Sequence, residues 1–495
     1  MTTGLRRTAI AMFVLLGLVF VNLNVIQVFR ADDLANDDRN SRTLIRDYDT
    51  RRGLILGAEQ TTVLAESEET DGPLRFRRRY PQGGLFAHAT GYHSVVYGRS
   101  EIEDSFNAEL AGNTPEAFSR NLADFLAGRE RTGDDVVTTL RPAVQQAAVQ
   151  GLADQRGAVV ALNPQSGAIL GLASTPGFDP DRLASHNTSE AASYKQQLDT
   201  NPHKPLLNRA VREWHPPGST FKLVTAAAGL ASGMSPTRTF EDPTRLELPR
   251  TEATIGNYGG GTCAGGDQIS LAEALRVSCN TTFAQIGLDV GEQALIAQAE
   301  EFGFNAPLIE QLADPLASRM PDELNRPQVA QAAIGEFDVR ATPLQMALVA
   351  AAIGNNGTLP RPRIVKAVQD TSGAVLAEYG PSTLTPQGQS DAQALSPQAA
   401  STLRNMMTGV VESGTGTAAQ LPDTSVAGKT GTAQMRQSEA GPTVWFAGFA
   451  PARDPRVAVA VLVEEGGSAG SDATGGGVAA PIARQVLAAA LDSTP

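Results

Sequence analysis

Cysteine is almost absent, histidine is scarce, and positive charge is outweighed by negative. Cys263 and Cys279 are the two cysteines of a 495-residue chain. That excludes a small disulfide-framework domain, and no His or further Cys lies near enough to complete a zinc site. The five histidines, His88, His93, His186, His203 and His215, are scattered without ligand spacing and read as structural. A formal charge of -13 argues against a nucleic-acid-binding surface, since phosphate recognition needs a basic patch. No long run of like charge and no internal repeat is present. What is there suits a globular protein: 41% hydrophobic residues, 19% charged, and 48 Gly with 30 Pro too aperiodic for a fibrous chain. The length predicts two or three domains.

The first thirty residues stand apart. Arg6 and Arg7 precede an apolar stretch from about Ala9 to Val28, diluted by Asn22, Asn24 and Gln27. Roughly 20 apolar residues cross a bilayer as a helix. A cleaved signal peptide, a retained anchor and a buried helix all compete for such a segment. The stretch outruns a signal-peptide core and no small-x-small site follows, so a retained anchor (residues 1–30) is expected. Positive charge before it would leave the amino terminus inside and the rest of the chain outside. Such a compartment permits a Cys263–Cys279 disulfide, closing a loop worth roughly 3 kcal/mol; two unlinked core thiols are the alternative.

Residues 31–133 are polar and irregular with strand-like pieces, and read as a non-catalytic module. From 134 to 495 the pattern changes to strands, then Ala-rich helices, then strands again. Val136–Leu140 is a predicted strand and Arg141–Leu152 a helix. Gly157–Leu162 and Ala168–Ser174 form a predicted hairpin across Asn163–Gly167. Helices are predicted at Leu271–Val277, Thr282–Leu288 and Pro343–Ile353, strands at Val426–Met435, Thr443–Ala450 and Val457–Glu464, and a closing helix at Ala480–Leu491. This is an α/β domain whose antiparallel sheet joins early and late sequence.

Three short motifs carry chemistry. Ser219-Thr220-Phe221-Lys222 follows Pro216-Pro217-Gly218 and opens an Ala/Leu-rich helix, which puts Ser219 at a helix start and Lys222 one turn on. A serine needs a neighbouring base, and a desolvated lysine can serve. Alone, the pattern is weak and is usually a helix cap followed by a surface lysine. Ser278-Cys279-Asn280 falls between two helices, where a hydroxyl can relay a proton and an amide can bind a carbonyl or the lysine; helix capping is the plainer use. Lys429-Thr430-Gly431-Thr432 lies on a strand, with Lys429 and Gly431 on one face and Thr430 and Thr432 on the other. Glycine in mid-strand implies close approach of another backbone, here expected to be a substrate peptide added at the strand edge. Lys429 offers charge for a substrate carboxylate or holds the pKa of its neighbours down; a surface β-turn is the plainer alternative, against which the apolar flanks speak.

In that order and at spacings of 59 and 151 residues, S-x-x-K, S-x-N and K-T-G are the signature set of penicillin-binding proteins and β-lactamases. The chain as a whole resembles the class B penicillin-binding proteins. Arg52-Gly53-Leu54-Ile55, Arg79-Tyr80-Pro81, Gly91-Tyr92 and Gly98–Glu103 look like their amino-terminal boxes. Ala173–Pro180, Asn208-Arg209-Ala210, Ala333-Ile334-Gly335, Ala341–Met346 and Gly414–Ala418 match patterns of their transpeptidase domain. The spacing, and Cys279 before Asn280, look closest to the actinobacterial penicillin-binding protein A type.

The resemblance implies an antiparallel sheet flanked by helices with an all-helical subdomain, preceded by a transmembrane helix and a β/irregular pedestal or dimerisation module. It implies a D,D-transpeptidase that joins peptidoglycan stem peptides ending in D-alanyl-D-alanine and is acylated by β-lactams. Ser219 would be the nucleophile, Lys222 the base, Ser278 and Asn280 the relay, and Lys429, Thr430, Gly431 and Thr432 the carboxylate and oxyanion contacts. No metal or cofactor is implied, and a membrane-embedded SEDS glycan polymerase and division proteins are the implied partners. Glu336 departs from the family, where many relatives carry Gln. About a hundred residues between anchor and Asp134 are too few for a glycosyltransferase domain of roughly 170. The alternatives are a D,D-carboxypeptidase or β-lactamase using the same residues with water, and a β-lactam-binding sensor or division scaffold without activity.

Overall fold

Two sheets organise the molecule, and the computed structural model describes residues 2–29, 48–117, 120, 130–386, 391–433 and 441–493. In chain order the strands that matter are β1 (Ile55–Leu56), β2 (Val63–Glu69), β3 (Phe76–Arg79), β4 (Asp135–Thr138), β5 (Gly157–Leu162), β6 (Ile169–Thr175), β7 (Val365–Gln369), β8 (Val375–Glu378), β9 (Ala427–Ala433), β10 (Thr443–Ala450) and β11 (Val457–Val463). The helices are α1 (Thr2–Asn24), α2 (Pro142–Leu152), α3 (Lys222–Ala231), α4 (Leu271–Arg276), α5 (Asn280–Glu301), α6 (Pro343–Gly354), α7 (Pro397–Ser413) and α8 (Ala480–Asp492).

The first sheet is antiparallel throughout, in the order β9-β10-β11-β5-β6. Late strands therefore pair with early ones, and β5–β6 is the expected hairpin. Its turn is held by Asn163 Oδ1, which accepts from Gln165 N at 3.0 Å and Ser166 N at 2.9 Å. Alternate residues serve opposite faces. Val160, Trp445, Ala447 and Phe449 join one core with α6, and Val159, Val444 and Phe446 join a second with α2 and α8. All twelve residues of α6 are buried, which explains a helix apolar on every side. The helices α3, α4, α5 and α7 form the helical part beyond β9.

The second sheet runs β8-β7-β4-β1-β2-β3. The strand that the sequence places at the start of the catalytic domain, β4, lies here instead, parallel to β1 and antiparallel to β7. All four of its residues are buried. An apolar run announces a strand with neighbours on both edges without saying whose they are.

Beside this sheet sits a buried ionic cluster that the sequence did not reveal. Glu103 accepts from Arg52 Nε at 2.6 Å and from Arg78 Nε at 2.5 Å, and Tyr80 Oη lies 3.3 Å from it. Burial pushes the Glu103 carboxyl up, but the two arginines overcome it and hold its pKa at about 2.

At the amino terminus α1 continues through a π-turn, Val25–Phe29. The stretch Thr3–Val28 has mean hydropathy 2.5 with none of it buried, so it is long and apolar enough to cross a membrane. Asn24, one of its polar residues, donates to Phe20 O at 2.8 Å within the helix. The anchor's expected last residue, Arg30, the module's 31–47, and the expected strand end at Met435 lie outside the described residues.

Candidate active site

The turn Pro216-Pro217-Gly218 leads into a single 3-10 turn, Gly218–Phe221, and then into α3. Pro217 and its neighbour cannot extend a helix backwards, so Ser219 stands at the start of one, partly exposed, with Lys222 beneath it fully buried. Pro217 O accepts from Thr220 N at 3.2 Å and from Thr220 Oγ1 at 2.6 Å, which fixes the turn.

Lys222 Nζ donates to Ser278 O at 2.7 Å and Asn280 Oδ1 at 2.6 Å, with Ser278 Oγ at 3.3 Å. Lys429 Nζ donates to Ser278 Oγ at 2.8 Å and Thr430 O at 2.8 Å. The three motifs, far apart in sequence, thus close on one another through two buried lysines and one serine. Burial first, then the charge of Lys429, drive the Lys222 pKa well below the usual ammonium range, while Glu336 pulls it back up. Burial lowers Lys429 to about 7.

Ser278 takes a left-handed backbone, φ +65°, a strained conformation for serine. Both its carbonyl and its hydroxyl reach the lysines from there. Several contacts hold it. Cys279 is bonded to Cys263. Asn257 Oδ1 accepts from Asn280 N at 3.1 Å and Thr281 N at 3.0 Å, and Asn280 Nδ2 donates to Gly256 O at 3.0 Å. The second helix begins at Asn280 rather than at Thr282, because Asn257 caps it from a distant loop. No local pattern marks Asn257, and the sequence missed it.

The K-T-G strand is β9, the edge of its sheet, with β10 on its other side. Its glycine serves a different neighbour from the one expected. A side chain at Gly431 would lie 2.9 Å from Pro217 O, 3.0 Å from Thr220 Cγ2 and 3.1 Å from Trp445 Cβ. The protein's own turn before Ser219, not a substrate, occupies that space. Trp445 adds to this, donating from Nε1 to Pro216 O at 3.0 Å. Trp214, two residues before Pro216, is 42% exposed and donates from Nε1 to Ala317 O at 3.0 Å.

Above these groups opens a cleft of about 680 Å³ lined by Ser219, Ser278, Asn280, Thr430, Gly431 and Thr432, with Asn257, Tyr258 and Glu336 at its walls. Thr430 Oγ1 lies 2.6 Å from Thr415 Oγ1, and Thr432 Oγ1 accepts from Gly475 N at 3.3 Å. Thr415 belongs to a run that carries the family resemblance; Tyr258 and Gly475 carried no signal.

Two side-chain clusters have metal-like spacing among the described residues: Asp242 with Cys263 and Cys279, and Glu213 with His215 and Glu464. The thiols of the first are consumed by the disulfide. In the second, Glu464 is taken by Arg209 at 2.8 Å and Arg156 at 2.6 Å. Neither donor set suits a cation. His215 is nonetheless less isolated than its place in the sequence suggests.

Comparison with known proteins agrees with this geometry. Residues 157–488 match the penicillin binding protein transpeptidase domain and residues 52–136 the penicillin binding protein A dimerisation domain. The chain is 41% identical to the peptidoglycan D,D-transpeptidase PbpA of Mycolicibacterium smegmatis, covering 99% of both chains. It is 40% identical to PbpA of Mycobacterium tuberculosis, covering 100% of both. The structure of penicillin-binding protein A from M. tuberculosis as a ceftriaxone acyl-enzyme superposes with a TM-score of 0.85 at 38% identity, over 90% of this chain and 100% of that one. On its motifs, its fold and its full-length similarity, the chain belongs to the class B penicillin-binding transpeptidases.

Proposed function

We propose that the protein is a membrane-anchored peptidoglycan D,D-transpeptidase with Ser219 as its acylated nucleophile. One observation carries the reading: Lys222, buried and depressed in pKa, lies among Ser278, Asn280 and Lys429 beneath the serine in an open cleft. A neutral Lys222 has two N–H groups and one lone pair. Ser278 O and Asn280 Oδ1 take the two N–H groups, leaving the lone pair for the Ser219 proton. The serine oxygen attacks the penultimate D-Ala carbonyl, and the N–H groups of Ser219 and Thr432 receive the developing oxyanion. Ser278 Oγ accepts from Lys429, so its own proton is free to go to the departing D-Ala amine, and the proton that Lys222 took from Ser219 replaces it. The donor peptide extends the sheet at the edge of β9 that no described strand pairs with, its carboxylate held by Thr430, Thr432 and Lys429. A β-lactam follows the same first step, and an amine from a second stem resolves the ester.

The boundaries 1–30, 31–133 and 134–495 are proposed as anchor, pedestal or dimerisation module and transpeptidase domain, although β4 and β7 tie the last two together. Arg6 and Arg7, at the start of α1 ahead of its apolar stretch, support an extracytoplasmic catalytic domain. Family membership supports a SEDS glycan polymerase and division proteins as partners. Labelled penicillin is expected to leave a long-lived adduct on Ser219, absent in Ser219→Ala. Rapid turnover of penicillin would instead make the protein a β-lactamase, and normal growth on Ser219→Ala alone would make it a scaffold.

A further inference from the structure

The part of the chain that matches the dimerisation domain grips the part that matches the transpeptidase domain just before the nucleophile. A short helix, Arg209–Arg212, ends seven residues ahead of Ser219 and is preceded by Asn208. His88 donates from Nε2 to Pro205 O at 2.8 Å, and His88 O accepts from Asn208 Nδ2 at 2.8 Å. At the far end of the helix Arg212 Nη2 pairs with Glu101 Oε1 at 3.1 Å, while Arg212 Nε donates to Ala313 O at 2.9 Å.

Glu101 stands there against its own preference. Its backbone is left-handed, φ +54°, a conformation that suits glycine and strains other residues. Its neighbours allow no relaxation. Ser100 N donates to Tyr92 O at 3.2 Å and Ser100 Oγ accepts from Tyr92 N at 3.2 Å, while Glu103 is locked between Arg52 and Arg78. The side chain is buried, and the amide of Asn208 adjoins its carboxyl. Yet neither Glu101 Oε2 nor Asn208 Oδ1 has a hydrogen-bond partner among the described residues. An ionised carboxylate leaves both acceptors unmet, whereas a carboxylic acid brings the donor that the nook lacks. Burial pushes the Glu101 carboxyl up to about 7 against the pull of Arg212 and Asn208, with Asp104 and Asp314 reinforcing burial.

We infer that Glu101 is a proton-operated clasp: with its proton it fastens the Asn208–Arg212 segment, and without it the segment loosens and acylation of Ser219 slows. The link to acylation rests on the transpeptidase reading; the clasp itself does not. The sign follows from the direction of the shift. The closed clasp holds the proton more tightly than an exposed carboxyl does, so closure is favoured below pH 7 and the advantage is lost as pH rises through 7. With a closed value of about 7 against 4.5 when open, closure becomes about tenfold less favourable between pH 6 and pH 8. Two nearby groups keep their state over that range. Burial holds His88 neutral, at about 4, and raises Tyr92 above 10.

The test uses the full-length protein, E101Q and E101G. The glutamine keeps a neutral side chain with a donor, and the glycine also relieves the backbone. Hydrogen exchange over residues 205–213, read by mass spectrometry and corrected for the intrinsic rate, gives the protection of the segment at pH 6 and pH 8. Protection is expected to fall about tenfold in the unsubstituted protein and to stay level in both variants. The acylation rate with a fluorescent penicillin, taken as a ratio to E101Q so that the lysines of the cleft cancel, is expected to fall over the same range. An equal loss of protection in all three proteins overturns the clasp. A loss confined to the unsubstituted protein with a constant acylation ratio overturns the link to Ser219. Absence of acylation in every protein removes the transpeptidase reading and that link with it, while protection still decides the clasp.

Discussion

Replacing Gly431 by alanine tests whether β9 supports the Ser219 turn from below. The added methyl would stand 2.9 Å from Pro217 O, 3.0 Å from Thr220 Cγ2 and 3.1 Å from Trp445 Cβ. None of the three yields cheaply. Pro217 O is pinned by two bonds from Thr220, Trp445 is fully buried and bonded to Pro216 O, and Thr220 is buried. Overpacking of this kind costs about 1–3 kcal/mol. The turn is the part with room to move, since Ser219 faces the cleft. A displacement of a few tenths of an ångström should lower the acylation rate about tenfold, because reactive geometry is lost steeply with distance. The assay is the second-order rate of adduct formation with a fluorescent penicillin, beside a melting curve. Wild-type acylation in a protein with unchanged melting would refute the idea that the K-T-G glycine exists to admit the turn.

Two further outcomes follow from the buried charges. Lys429→Gln removes the positive charge that, after burial, depresses Lys222. The Lys222 pKa then rises, so the limb of the acylation–pH profile on which activity increases with pH should move to higher pH; a profile that stays in place refutes the coupling. For Glu103 the native pKa is about 2 against 4.5, a depressed carboxylate. Its stabilisation, about 3 kcal/mol, is complete above pH 4.5 and is lost as pH falls toward 2. Glu103→Gln strands Arg52 and Arg78 and should cost roughly 3–5 kcal/mol at neutral pH, read by denaturant unfolding; a loss that does not shrink on acidification would count against this account.

Much of the catalytic sheet was legible because its cues are local. The β5–β6 hairpin, α2 after Pro142, and β10 and β11 follow from period, turn residues and apolar runs. The second sheet was not, because β4 pairs with β1 and β7, some 80 and 230 residues away, and nothing in Asp135–Thr138 records those partners. The same contrast holds at the site. Ser219, Lys222, Ser278, Asn280 and Lys429 announced themselves as a set of residue types in order. Asn257, which caps α5 across 23 residues, and Tyr258 and Gly475, which line the cleft, lie in segments rich in glycine with no pattern of their own. The role of Gly431 was half legible: the need for a close approach could be read, but not that the visitor is Pro217.

The conformation of Ser278 links this geometry to compartment. Its left-handed backbone, φ +65°, presents carbonyl and hydroxyl to two different lysines. An ordinary helical or extended residue there would swing at least one of them away. Such strain persists only where neighbours over-determine it. On one side α4 ends at Arg276; on the other, the disulfide to Cys263 and the cap from Asn257 hold Cys279 and Asn280. Asp242 in turn fixes Cys263, accepting from its N–H at 2.9 Å and from Ala264 N at 2.7 Å. The lysine network is thus assembled by a bond that persists only where thiols oxidise. That requirement and the arginines at the start of α1 arise from unrelated parts of the chain, and both bear on the proposal that the catalytic domain lies outside the membrane.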